Sequence, residues 1–189
     1  MSNAERIRRS LQLLAIAVIV LSVAGSAPAK PPDPCAVLPK PVLKLIATKF
    51  PGWRAKQLSD LDQDARQVWA LSHPHECPGV AEGHFENADR LSFAVFLVPQ
   101  SDPVGGFKLI AFEKGAGTDA YGWELIDESN ARTYSGAVIS KSPPGKYSQV
   151  DATSSVTTTL DGVRFGLIDK GAVLYYWSDG RFQKLVLSA

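Results

Sequence analysis

Six consecutive residues, Phe93-Ala94-Val95-Phe96-Leu97-Val98, carry no polar side chain, and Pro99 follows at once. An apolar run of this length, closed by proline, is the pattern of a central strand buried on both faces. After it, segments 107–112, 121–126, 137–140, 163–168, 173–177 and 181–187 read as further strands, separated by Gly, Pro, Asn and Asp clusters. The last two flank Asp179-Gly180, a pair that tolerates positive φ at both positions and so predicts a tight hairpin. That turn sets Trp177 opposite Phe182, Tyr175 opposite Lys184 and Val173 opposite Val186 on one side. Leu174, Tyr176, Leu185 and Leu187 then share the other side.

Upstream, the apolar spacing is helical. Pro41 suits the first turn of a helix carrying Val42, Leu45, Ile46 and Phe50, stopped by Pro51-Gly52. A second helix is predicted over about 60–71, with Ser59 and Asp60 at its start and Leu61, Ala65, Val68 and Trp69 on one face. Helices first and strands afterwards predict an α+β domain over 41–189, with N-terminal helices packed on a mainly antiparallel β-sheet. No fixed-period repeat is present, which argues against a propeller or solenoid.

The first 29 residues have a different character. Arg6, Arg8 and Arg9 precede an apolar run over 11–23, and Ala27-Pro28-Ala29 supplies a small-x-small cleavage pattern. This is the order of a secretory signal, with the mature chain starting near Lys30; the alternative is an uncleaved anchor helix, for which the run is short. Export predicts a periplasmic or secreted protein without a stable membrane anchor after cleavage. It also suits the two cysteines, Cys35 and Cys77, which are expected to form one disulfide pinning the Pro-rich segment 30–40; two separate thiols are the other possibility. Residues 1–29 hold three Arg and one Glu, so the remainder has 17 basic against 18 acidic groups. A near-neutral chain without a basic block argues against a nucleic-acid partner.

All three histidines, His73, His75 and His84, fall within 12 positions of one another. Imidazoles are common zinc ligands, so His73, His75 and His84, with Glu86, are the candidate metal ligands. Against that, Pro74 separates the first two, Cys77 is claimed by the disulfide, and no helix-borne His-Glu-x-x-His spacing occurs. Further along, Gly83, Phe85, the loop to Arg90 and the Phe93-Ala94-Val95 strand entry resemble the segment of secreted FG-GAP-like proteins in which an acidic calcium loop runs into a buried strand. The resemblance spans about 20 residues and implies an oxygen ligand at Glu86. Ala88 supplies none, and Asp89 stands where the pattern has glycine, so the kinship implies a turn that has lost its calcium. The wider layout is similar to that of uncharacterised exported bacterial proteins, a kinship that implies no activity.

Catalytic signatures are lacking. Ser135 has no glycine two residues before it, so no nucleophile elbow exists there. Both cysteines are spoken for, and Glu124, Asp127 and Glu128 read as a solvated strand face. Gly105-Gly106 and Gly115-Ala116-Gly117 open no helix and read as turns rather than phosphate loops. The expectation is therefore an exported, non-catalytic binding module without a cofactor. Its partner would be an envelope protein or polymer, met through Tyr175, Tyr176, Trp177 and Phe182. The competing expectation is an exported hydrolase or metal-binding protein centred on His73, His75 and His84.

Overall fold

A computed structural model describes residues 33–188 apart from positions 152 and 169. The expected export signal, its cleavage point and the start of the Pro-rich segment lie outside the described residues. Asp33–Ala189 clusters as one unit. In chain order its elements are α1 (Lys40–Lys49), β1 (Trp53–Ala55), α2 (Gln63–Ser72), β2 (Val80–Gly83), β3 (Ser92–Pro99), β4 (Phe107–Lys114), β5 (Tyr121–Ser129), β6 (Ala137–Ser142), β7 (Gly145–Ser148), β8 (Ser155–Thr158), β9 (Gly162–Leu167), β10 (Ala172–Ser178) and β11 (Arg181–Ser188).

The apolar run fills β3, which is buried at every position before Pro99. It has neighbours on both edges. β4 pairs along one, and β2 and β1 share the other end to end. The handover occurs at Phe96, whose carbonyl accepts from Lys56 N–H and whose N–H donates to the Gly79 carbonyl, both at 2.9 Å. A Cβ at position 79 would lie 2.3 Å from the Lys56 carbonyl oxygen, so the crossing requires glycine. β5 pairs with β4 and ends this first sheet.

A second antiparallel sheet runs β11-β10-β9-β6, and β7 and β8 form a separate ribbon. The two sheets pack on each other: Phe96, Val98 and Leu109 share one core with Ile139, Val163 and Tyr175. Phe165 lies 5.3 Å from Phe96 and 5.0 Å from Phe107, ring centre to ring centre. Each helix covers one outer surface. Val42 and Ile46 of α1 meet Val95, Leu97, Ile110 and Phe112, while Ala65 and Trp69 of α2 meet Val138 of β6. Burying such side chains is worth about 1.5–3 kcal/mol each. Ten-residue helices need that anchoring, because helices this short are marginal alone in water.

The expected α+β class is corrected by this arrangement. Among the described residues there are eleven strands against two ten-residue α-helices, and the main core lies between two sheets. The fold is a mainly-β sandwich, with its helices on separate outer surfaces rather than forming a layer on one sheet. The sequence reading missed β1, β2, β7 and β8, each of three or four residues. Strands that short show too few alternations to register as a period, and their ladders come from partners distant in sequence.

The disulfide is present: Cys35 and Cys77 are bonded, with α-carbons 4.7 Å apart. It ties the Pro34–Val37 3-10 turn to the core that α1 shares with the first sheet. Among the described residues no helix is long and apolar enough to cross a membrane.

Candidate functional site

The C-terminal hairpin forms as its turn chemistry dictates. Asp179 and Gly180 take φ of 54° and 75°, and Trp177 pairs with Phe182, Tyr175 with Lys184 and Val173 with Val186. The four aromatics do not form a common exposed patch. Tyr175 is 3 % exposed, and its hydroxyl donates to the Asp127 carboxylate on β5. Phe182 is half-buried against the inter-sheet core, and Trp177 meets it edge-on at 5.2 Å. Tyr176 is half-buried on the opposite side.

The histidines separate. His73 stacks on Trp69 at 4.1 Å, with Nδ1 2.8 Å from the Ser72 hydroxyl. His75 is exposed, and His84 is held through Nδ1, 3.1 Å from the Arg90 carbonyl. His75 and His84 do border one hollow of about 370 Å³ beside Cys77, but His73 borders another, near Arg164. Among the described residues no three His, Cys, Asp or Glu side chains are grouped so that they could hold a metal ion.

Two residues far apart in the sequence are instead brought together. Glu86, from the loop before β3, and Trp177, from the tip of the hairpin, line a hollow of about 190 Å³ at one end of the sandwich. Glu113, Gly122, Trp123 and Glu124 complete its walls with Ala111. Strand register explains the convergence. Glu124 pairs with Ala111, and Ala111 with Ala94 of the inter-sheet core, so the Glu124 side chain points between the sheets. Gly122 pairs with Glu113, which puts both on that inward face. Gly122 has no side chain, and a Cβ there would meet nothing within 4 Å. Its absence leaves the mouth open.

The mouth is short of positive charge. Arg90 pairs with Glu113 at 2.6 Å. Glu86 accepts from two neutral donors, the Ser92 hydroxyl at 2.6 Å and its own backbone N–H, and the Glu124 carboxylate has no ion-pair or hydrogen-bond partner among the described residues. Burial pushes the Glu86 carboxyl above its ordinary range, outweighing the Ser92 bond, and Glu113 and Glu124 add to the rise. Burial does the same to Glu124. A positive group entering the mouth would therefore meet two under-compensated carboxylates beside the Trp177 indole, and aromatic faces attract cations. The Trp123 ring lies on the other face of β5, against Phe50 at 5.1 Å. At about 190 Å³ the hollow suits the end of one side chain rather than a drug-sized molecule, whose sites run from about 300 Å³ upward.

Glu86 and Trp177 were legible as candidates, but for other roles. Glu113, Trp123 and Arg90 were not singled out, and Glu124, read as solvated, faces inward. Only the alternation of Trp123-Glu124-Leu125 hinted that one face of β5 differs from the other. Compared with protein-family models, curated proteins and solved structures, the chain matches none.

Proposed function

We propose that this chain is an exported, non-catalytic binding module whose acidic, tryptophan-walled mouth takes an ammonium or guanidinium group of an envelope protein or polymer. One observation carries the reading: Glu86 and Glu124 converge beside Trp177, and neither has a counter-cation among the described residues. The disulfide is consistent with the compartment, because such bonds persist where thiols are oxidised. In this reading the 83–95 segment keeps the shape of a calcium loop, while its carboxylate, Glu86, serves the mouth.

The test is titration of the protein with tetralysine at low ionic strength, followed by tryptophan fluorescence and calorimetry. Saturable binding is expected, weakened about tenfold or more in the double variant Glu86→Gln/Glu124→Gln. A charge-assisted contact is worth about 1.5–3 kcal/mol, and glutamine keeps the shape and the Ser92 bond. Salt should weaken the binding. Acidification should weaken it earlier than a glutamate titrating at 4.5 would, because both carboxyls are raised. Tetralysine binding that is absent, or equal in the folded double variant, would overturn the reading.

A further inference from the structure

The mouth lies beside a free strand edge, and the two together define a more specific ligand. β5 is the outermost strand of the first sheet. Both terminal strands of the second sheet have backbone company. The β6 edge receives the Pro78 carbonyl through Ile139 N–H at 2.9 Å, and β11 accepts from Val150 N–H through the Val186 carbonyl at 3.2 Å. At the far end of β5, Asp127 is engaged by Tyr175 and by Lys184. Between 121 and 125, no backbone partner other than β4 occurs among the described residues. An edge strand turns alternate N–H and C=O groups outward, and proteins ordinarily blunt such edges with lysine, proline or a bulge. Tyr121-Gly122-Trp123-Glu124-Leu125 has no lysine or proline, and the β4–β5 register shift lies beyond it, between Leu109 and Ile110 on β4.

The two faces of this open stretch differ in chemistry. Trp123 and Leu125 pair with Phe112 and Ile110, whose side chains face α1, and they are 45 % and 41 % exposed. Glu124 points the other way, into the mouth with Glu86 and Glu113. A strand added to β5 would continue this alternation, placing successive side chains beside an apolar face and then beside a carboxylate cluster.

We propose that β5 receives an extended peptide segment as an additional strand, one whose side chains alternate basic and apolar. Its backbone completes the 121–125 ladder, its basic side chains enter the mouth, and its apolar side chains cover Trp123 and Leu125. Main-chain bonds supply affinity in this mode, and the alternating pockets supply specificity. The proposal deepens the mouth reading and rests on it for the basic positions.

The experiment compares blocked octapeptides by calorimetry: one alternating lysine and valine, and one of the same composition with four lysines followed by four valines. The alternating peptide should bind at least tenfold more tightly. N-methylating all its lysines, or instead all its valines, removes the amide donors of one peptide edge only, so one of the two methylated peptides should lose at least tenfold and the other little. On the protein, Leu125→Lys should weaken the alternating peptide while leaving tetralysine binding nearly unchanged. Gly122→Lys, which has room for its Cβ, should abolish both by filling the mouth with its own cation. If tetralysine binds but the two octapeptides bind alike and both methylated forms match the parent, strand addition is overturned and the mouth stands. If tetralysine and both octapeptides all fail to bind the folded protein, both readings fall.

Discussion

Replacing Lys56 by methionine should make this protein more stable at neutral pH, although the lysine makes good contacts. Its side chain is completely buried, where Nζ donates to the Ser135 carbonyl at 2.7 Å and lies 5.3 Å from the centre of the Phe96 ring. Burial pushes its pKa down from 10.5 to about 8, against the pull of Asp60 and Asp62 and with some help from Arg54. At about 1.36 kcal/mol per pKa unit, holding the charge at pH 7 costs about 3 kcal/mol. Methionine of similar length removes that cost and gives up a hydrogen bond worth about 1 kcal/mol, since the half-buried Ser135 carbonyl can turn to water. The variant should therefore be about 2 kcal/mol more stable at pH 7. The sign of the pH dependence is fixed: a depressed base pKa means that the unfolded chain holds more protons between about 8 and 10.5. Wild-type stability gains about 2.5 kcal/mol from this site as pH rises from 7 to 10, so the gap between the two proteins should close by pH 10. Urea unfolding of both proteins at the two pH values, read by tryptophan fluorescence, measures the difference while shared titrations cancel. A variant at least 1 kcal/mol less stable at pH 7, with a gap that does not change by pH 10, would refute the reasoning and make the buried ammonium a net stabiliser.

Two further outcomes follow from the same structure. The Cys35–Cys77 bond closes a separation of 42 residues, so the double variant Cys35→Ala/Cys77→Ala should lose about 4 kcal/mol in the chain-entropy account, checked by denaturant unfolding against the oxidised protein; a loss under 1 kcal/mol would show that the 34–38 segment needs no tether. Tyr175→Phe should cost about 1–2 kcal/mol through the lost bond to Asp127. Burial, then Asp127, raises the Tyr175 pKa above its usual 10, so this contribution is present below pH 10 and fades above it. Ultraviolet titration of folded wild type should leave one tyrosine un-ionised well past pH 10, and the variant should lack that retained signal.

Local chemistry wrote some of this protein into its sequence. The apolar run of β3 is a buried strand because six apolar side chains in succession need cover on both faces. Asp179-Gly180 turns the last hairpin because both residues accept positive φ, and the register of seven cross-strand pairs from Ala172 to Ser178 follows with a single shift beside Ala172. Pro41 and the apolar spacing after it place α1 to within a residue. The α2 start shifts from the expected 60 to Gln63, because the Asp62 carboxylate caps it by accepting from Ala65 N–H at 2.8 Å.

Tertiary structure decided the rest. The class changed from α+β to a β sandwich because β1 and β2 exist only as partners of β3, through ladders that no local pattern announces. Tyr175 was an expected contact residue until the first sheet closed over it and supplied Asp127 as its partner. Glu86, Glu113, Glu124 and Trp177 are spread over 92 positions; Glu113 and Glu124 alone read as ordinary surface residues, while Glu86 and Trp177 stood out for other roles. They meet because strand alternation turns Glu124 inward and the hairpin carries Trp177 over the open end. The under-compensated charge that makes this mouth a candidate site is a property of that convergence, since carboxylates acquire a demand for a cation only where several share a partly dry space.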